Sequence, residues 1–374
     1  DGAIVGFTDT GAAISRIIRD ETGATVLTGE TIETYDVVMF LDDGNWRIRQ
    51  FLRTGATPIG AIPLATPAAG IAGRDGTGLV RDGQPLRIAG INYYPQGQPW
   101  HDFWPHYDGA TIDRDFGIIG ALGLNTVRIF VPAASATADG APDPALLDRL
   151  GDLLARAGAH RLLVIVTLFD FRRDYDPLNW AAADRQLVGL IPRFADHPAI
   201  LAWDLKNEPD LDYEQGRDTV DLWLAHTLRL VRELDPHHLV TIGWSNPEDA
   251  RALATGVDFV SFHYYRAPEQ FAGAYGALRA AVGDRPIALT EFGSSTWNSP
   301  FFPGGRSEAE QAATFAAMRR ALAQTDSAGY LAWTLYDFGR APADVDGRAP
   351  WHTGPQGAFG VLRADGSAKP AAAT

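Results

Sequence analysis

With 374 residues, 46% of them hydrophobic and 21% charged, the chain can bury a large core and is not a disordered one. A balance of 32 basic against 46 acidic residues gives a formal charge of −14, which leaves no basic field for nucleic acid or an anionic membrane. The absence of cysteine excludes disulfides and thiolate chemistry, and no apolar run approaches the length of a membrane span.

The chain opens at Asp1 with no basic-then-apolar leader, and a processed, secreted or periplasmic protein is the expectation. Residues 1–54 read as a small antiparallel accessory segment. The β-rich runs AAISRIIRD, ATVLTGETIETYDVVMFL and NWRIRQFLR are separated by turn clusters at Asp20–Gly23 and Asp42–Asn45. Three such strands cannot hold a core alone and must pack on something else. The hairpin DDGNWRIRQFLR resembles the last hairpin of nuclear-transport-factor-2-like domains. Residues 55–71, with three prolines and no charge through GATPIGAIPLATPAAG, read as an extended linker. A hairpin with its turn at Asp82-Gly83 follows.

From there to residue 374 short apolar strands alternate with amphipathic helices. Strands are expected at 87–94, 125–131, 162–169, 199–206, 239–244, 257–263, 286–292 and 330–336. Val220, Trp223, Leu224, Leu228 and Val231 share one helical face ending at Asp235-Pro236, and Ser307 with Glu310 forms a capping-box pattern. Eight strands with intervening helices suit an α/β fold of the (β/α)8 TIM-barrel type. A doubly wound nucleotide-binding sheet would want a Gly-rich turn after its first strand, and INYYPQGQPW has none.

In such a barrel the chemistry sits at the C-terminal ends of the strands. There the chain places Arg128, Asn207-Glu208, His263 with Tyr265, Glu291 and Trp333. Glu208 and Glu291 come from strands three apart, where they can flank a bound bond. Glycoside hydrolysis needs such a pair, one carboxyl protonated and one ionised. Two carboxylates held close push their pKa values apart and supply that difference. Arg128 and a Tyr265 hydrogen bond are expected to keep Glu291 ionised, and Asn207 to bond a sugar hydroxyl. Taken singly these residues have ordinary structural uses: a buried histidine is usually a satisfied core residue, and Trp333 on an apolar strand is usually core. Their coincidence, each at the same end of its strand, favours the functional reading.

The set resembles glycoside hydrolase clan A, and most of all family 5, the cellulase and mannanase family. The matching residues are the Arg of NTVRIF, the NEP of strand four, the H-x-Y of SFHYY, TEFG in strand seven and the Trp of LAWTLYDF. The resemblance covers residues 72–372. It implies a retaining double displacement with Glu208 as acid/base and Glu291 as nucleophile. It also implies a histidine after strand three, where this chain has Phe169-Asp170, so Asp170 is expected to take that role.

Trp100, Trp104, Trp180, Trp244, Trp297 and Trp351 fall on or near rim loops, and about half are expected to touch sugar; Trp104 and Trp297 are substrate-contact candidates. The expected partner is a β-linked neutral oligo- or polysaccharide, β-mannan or β-glucan first, with endo and exo action both open. No cofactor is expected, and no metal: a metal-dependent barrel would want an H-x-H after strand one, and Asp344–Gly347 lacks the later glutamate of a calcium loop. A catalytically silent sugar-binding barrel is the rival from another class, and exo-acting β-glycosidases of sibling clan families are the rival within it.

Overall fold

The computed structural model describes residues 62–373, apart from 134–140, 177–178, 299–305, 340, 343–344 and 346–349, and the backbone alone of residues 350–352. Of residues 1–61 it describes only the backbone of five strands, β1 (Gly2–Thr8), β2 (Gly11–Arg19), β3 (Thr25–Val26), β4 (Thr31–Asp42) and β5 (Asn45–Pro58). These pair antiparallel in the order β1-β2-β4-β5, with β3 on β2. The expected turn clusters at 20–23 and 43–44 lie outside the described residues.

The expected linker is shorter than its composition suggests. β5 runs on to Pro58, where it pairs with Thr31. Further along, Ile62 and Ile71 are buried, the Ala65 amide donates to Asp258 and the Thr66 amide to the Pro236 carbonyl. Two isoleucines in a proline-rich stretch are enough to seat it on the barrel.

A small sheet of β6 (Ala72–Asp75), β7 (Gly78–Arg81) and β8 (Gln84–Leu86) follows. Its second turn has Asp82 at φ 50° and Gly83 at φ 74°, the two positive angles of the type I′ hairpin that suits strand twist. The chain then enters a closed, all-parallel barrel. Its strands are β9 (Ile88–Asn92), β10 (Thr126–Pro132), β11 (Leu163–Asp170) and β12 (Ile200–Asn207). They continue with β13 (Leu239–Trp244), β14 (Val260–His263), β15 (Ile287–Glu291) and β16 (Gly329–Ala332), which pairs back onto β9. Each of the eight overlaps its expected segment.

The outer layer contains α1 (Gly109–Ala121), α2 (Pro144–Ala159), α3 (Trp180–Phe194), α4 (Arg217–Leu234), α5 (Phe271–Val282) and α6 (Glu308–Leu322). The α6 capping box forms as expected. The Asp108 carboxylate caps α1 through the Ala110 and Thr111 amides. Between β13 and β14 the described chain makes turns only.

The barrel interior is layered. Leu79 of the small sheet closes its lower end over Ile88, Leu163, Ile165, Leu239 and Leu331. Above that apolar layer lies a buried polar one, Asn92, Arg128, Thr167 and Asp204. The cavity opens above the polar layer, so the fold delivers charge to the place where the strands end. No helix among the described residues is long and apolar enough to cross a membrane.

Candidate active site

Arg128 is the organising side chain. It lies in the middle of β10 rather than at its end, fully buried, and so belongs under the rim instead of on it. All five of its N–H donors find acceptors. Nε and Nη2 donate to Asp204 at 2.9 and 2.7 Å, Nη1 to Asn92 at 3.0 Å and to Glu291 at 2.6 Å, and Nη2 to Asn207 at 2.8 Å. Asp204 in turn accepts from Thr167 and from the Gly243 amide. A Cβ at Gly243 would come 2.7 Å from Arg128 Nη2 and 3.0 Å from Asp204, so only glycine admits the pair there. Asn92 is turned by its own donations to the Thr290 and Ala332 carbonyls.

Glu291 ends β15 almost wholly buried. It accepts from Arg128 on one oxygen and from the Tyr265 hydroxyl at 2.8 Å on the other. Glu208 follows β12 in a left-handed conformation, φ 47° and ψ 53°, and its amide donates to the Gly243 carbonyl. Asp210 pins the next turn by accepting from the Ser245 amide and hydroxyl and from Asn246. A non-glycine residue in this region costs on the order of 1 kcal/mol and persists where its surroundings force it. Here the forcing elements aim the Glu208 carboxyl at its partner. His263 lies beneath both, with Nδ1 2.7 Å from Glu208 and Nε2 3.6 Å from Glu291. One carboxylate oxygen of each glutamate and one His263 nitrogen fall within 4.8 Å of one another.

Burial raises the pKa of Glu208 and of Glu291, and for Glu291 the neighbouring Glu208 adds to the rise. Donors oppose it unequally. Glu291 receives a guanidinium and a phenol, whereas Glu208 has no charged donor in contact and feels Arg128 and Lys206 only at a distance. The unequal donors favour the proton on Glu208 over Glu291, and two carboxyls this close titrate as a coupled pair. Burial lowers His263 to about 4, so its imidazole is neutral between the two acids.

The cavity above them has a volume of about 440 Å³. Tyr94, Trp100, Phe130, Trp333 and Phe359 form an aromatic side. Tyr94 stacks on Phe130 at 5.2 Å between ring centroids and meets Trp333 edge-on at 6.4 Å. Asp170 ends β11 beside these rings, between Phe169 and Phe171, both at positive φ. Bulky aromatic residues rarely take that conformation, and the two together hold Asp170 buried at the cavity wall, where it accepts from the Tyr94 hydroxyl at 3.2 Å.

Desolvation raises Asp170 to about 6. The folded state therefore holds this proton more tightly than the unfolded chain, and the group takes away stability as pH climbs from about 4 to about 6. Asp170→Asn removes that loss. The difference in melting temperature between variant and parent is expected to be near zero at pH 4 and to favour the variant at pH 7. A difference that does not change with pH would contradict the assignment.

Of the sequence-derived residues, Asn207, Glu208, Tyr265, Glu291, Trp333 and Asp170 line the cavity, with Arg128 and His263 directly beneath. Trp104 is corrected. It is buried, its ring stacks on Phe103 and Tyr107, and its N–H donates to the Phe130 carbonyl at 2.7 Å. Trp297 packs against Gly354, and neither it nor Trp104 is among the residues that line the cavity. Trp180 and Trp244 are core residues, and of the six rim tryptophans Trp100 alone among those described faces the cavity. The Trp351 side chain and most of Asp344–Gly347 lie outside the described residues. Sequence reasoning missed Asn92, Asp204, Lys206, Asp212 and Tyr94. The signal for Asp204 and Lys206 was present as polar residues at alternate positions of an otherwise apolar strand, AILAWDLK.

Comparison with known proteins agrees with the barrel fold. Residues 190–265 match the model described as GH family 5 beta-mannosidase-like. A probable mannan endo-1,4-beta-mannosidase A of Aspergillus flavus is 26% identical over 249 residues, covering 56% of this chain and 60% of the relative. Mannan endo-1,4-beta-mannosidase 5 of Arabidopsis thaliana is 21% identical over 369 residues, covering 74% and 83%. The chain thus spans about 60% of the length of the first curated relatives it matches. Among solved structures, the exo-beta-1,4-mannosidase Op5Man5 from Opitutaceae bacterium strain TAV5 superposes with a TM-score of 0.68 at 21% identity, covering 80% of this chain and 60% of that one. A GH5_18 variant from Streptomyces cattleya, in complex with Manb1-4GlcNAc, gives 0.63 at 22%, covering 77% and 78%. The eight-stranded barrel, the family-model match over residues 190–265 and these relatives together make the chain similar to glycoside hydrolase family 5 of clan A.

Proposed function

We propose that the chain is a retaining glycoside hydrolase that cleaves a β-linked neutral oligo- or polysaccharide, β-mannan ahead of β-glucan. The observation that carries the reading is the approach of Glu208 and Glu291 to within 4.8 Å, oxygen to oxygen. Retaining enzymes hold their carboxyls about 5 Å apart, whereas inverting ones need about 6.5 Å or more to admit a water. The mannan named for the curated relatives favours that sugar.

In the first step a Glu291 oxygen attacks the anomeric carbon while the bond from that carbon to the leaving oxygen breaks. Glu208 gives its proton to that oxygen. In the second step the Glu208 carboxylate takes a proton from water, and the water oxygen displaces Glu291 from the same carbon. The starting anomeric configuration is restored, and Glu208 is reprotonated. Trp333 and the aromatic side present apolar faces to a pyranose ring, and Asn207 presents an amide beside the acid. A polymeric substrate of this class is met outside the cytoplasm, and the reading puts the enzyme there.

A panel of aryl β-glycosides, β-mannan and β-glucan, with the first-formed anomer followed by NMR, tests the proposal. Retained β-product from one of them is expected, and an inverted product would overturn it. Glu208→Ala is expected to slow substrates with poor leaving groups about 10²- to 10⁴-fold and activated aryl glycosides much less. Azide should restore part of the rate as a β-glycosyl azide. Equal slowing of both substrate types would contradict Glu208 as the acid.

A further inference from the structure

Beside the aromatic rings, and joined to them where Tyr94 donates to Asp170, the cavity wall holds charges that the displacement chemistry leaves unused: Asp170, Lys206 and Asp212. These residues are 4%, 4% and 8% exposed, and all three line the cavity. Their positions are fixed from behind. Lys206 Nζ lies 2.9 Å from the Asn207 carbonyl and 3.1 Å from Asp212, Tyr175 donates to Asp212 at 2.6 Å, and Tyr94 donates to Asp170 at 3.2 Å. These bonds leave capacity unspent. An ammonium has three N–H groups, of which two are placed, and each carboxylate accepts about four hydrogen bonds.

We propose that Asp170 and Lys206, the latter held by Asp212, read adjacent free hydroxyls on the terminal sugar, so that the enzyme removes sugars from a chain end. The inference rests on the hydrolase reading and adds its mode of action. The alternation of acceptor, donor and acceptor matches what a vicinal diol offers, because each hydroxyl both donates and accepts. A desolvated ammonium and carboxylate are costly unless a polar ligand meets them. A ring in mid-chain has one of its hydroxyl oxygens consumed by the next linkage and brings another sugar against this wall. A terminal ring brings only hydroxyls. The aromatic side holds the ring's C–H face, and the charged side holds its edge.

The probes are p-nitrophenyl β-D-mannopyranoside, its monodeoxy analogues and β-1,4-mannohexaose. The unaltered protein is expected to release mannose with mannopentaose as the first companion product. It is also expected to lose about 10²-fold or more in kcat/KM on the analogue lacking a hydroxyl that is read, since an unmet buried polar group penalises that analogue. Asp170→Asn and Lys206→Met should lose a similar factor on the parent glycoside and little more on that analogue. Mixed mannobiose and mannotriose from the outset would mean internal cleavage, which overturns the inference and leaves the hydrolase reading standing. An equal loss across the deoxy series would reduce the row to a structural ion pair. If no glycoside is turned over at all, both readings fall.

Discussion

Glu291→Gln is expected to lower kcat by about 10⁴- to 10⁶-fold, the scale seen when a nucleophile is removed from a covalent mechanism. The amide keeps the size and planarity of the carboxyl, so the cavity and its aromatic side stay in place. Its oxygen can still accept from Arg128 or Tyr265, but it cannot form a stable glycosyl ester. KM for an aryl glycoside should change by no more than a few-fold, because the residues that hold the ring are untouched. Release of p-nitrophenol, with tryptophan fluorescence as a check on binding through Trp100 and Trp333, separates the two effects. A variant that turned over within tenfold of the parent would remove Glu291 from the role of nucleophile.

Arg128→Met is expected to damage stability and activity together. Removing one partner of a buried ion pair destabilises by about 3–5 kcal/mol, because the remaining charge is left without compensation. Here two carboxylates lose it, Asp204 and Glu291, and the side-chain oxygens of Asn92 and Asn207 lose a donor. Without the guanidinium Glu291 rises further in pKa and is less often ionised when substrate binds. Urea unfolding should show a lower midpoint with an unchanged slope. The double variant Arg128→Met, Asp204→Asn should recover part of the stability, since it removes one stranded charge, and none of the activity. Recovery of both would mean that Arg128 acts only as a structural tie.

The barrel was legible because its strands are buried on both sides and show as short apolar runs between turns. All eight were found from that pattern. β6 was missed because Ala72–Asp75 is only four residues long and its polar end carries no alternation. The extent of β5 was missed because GATP reads as a turn or linker, although its backbone pairs with β4 as far as Pro58.

At the site, residues at strand ends could be found by position. Glu208, His263 and Glu291 each close their strand or follow it directly, and Tyr265 lies two residues beyond. Residues inside the barrel could not be found that way. Asn92 and Asp204 act by holding Arg128, a relation set by the closed barrel, which brings the neighbouring strand β9 and the next-but-one strand β12 to it from distant parts of the sequence. The tryptophans misled in the opposite direction. Polar neighbours in sequence suggested exposure for Trp104 and Trp180, yet each spends its N–H on a backbone carbonyl and its ring on the core. A tryptophan on a loop needs an anchor as often as it offers one, and composition does not tell the two apart.

The chemistry proposed here depends on a covalent bond forming at one named carboxylate. Incubation with a 2-deoxy-2-fluoro-β-mannosyl fluoride, followed by proteolysis and mass spectrometry, reads that bond directly, because the fluorine slows release of the trapped sugar. The expected result is one fluorosugar per chain, on the peptide carrying Thr290-Glu291-Phe292, with loss of activity in step with labelling. A label on the Asn207-Glu208-Pro209 peptide instead, or turnover to the α-anomer of the substrate with no label, would contradict the account.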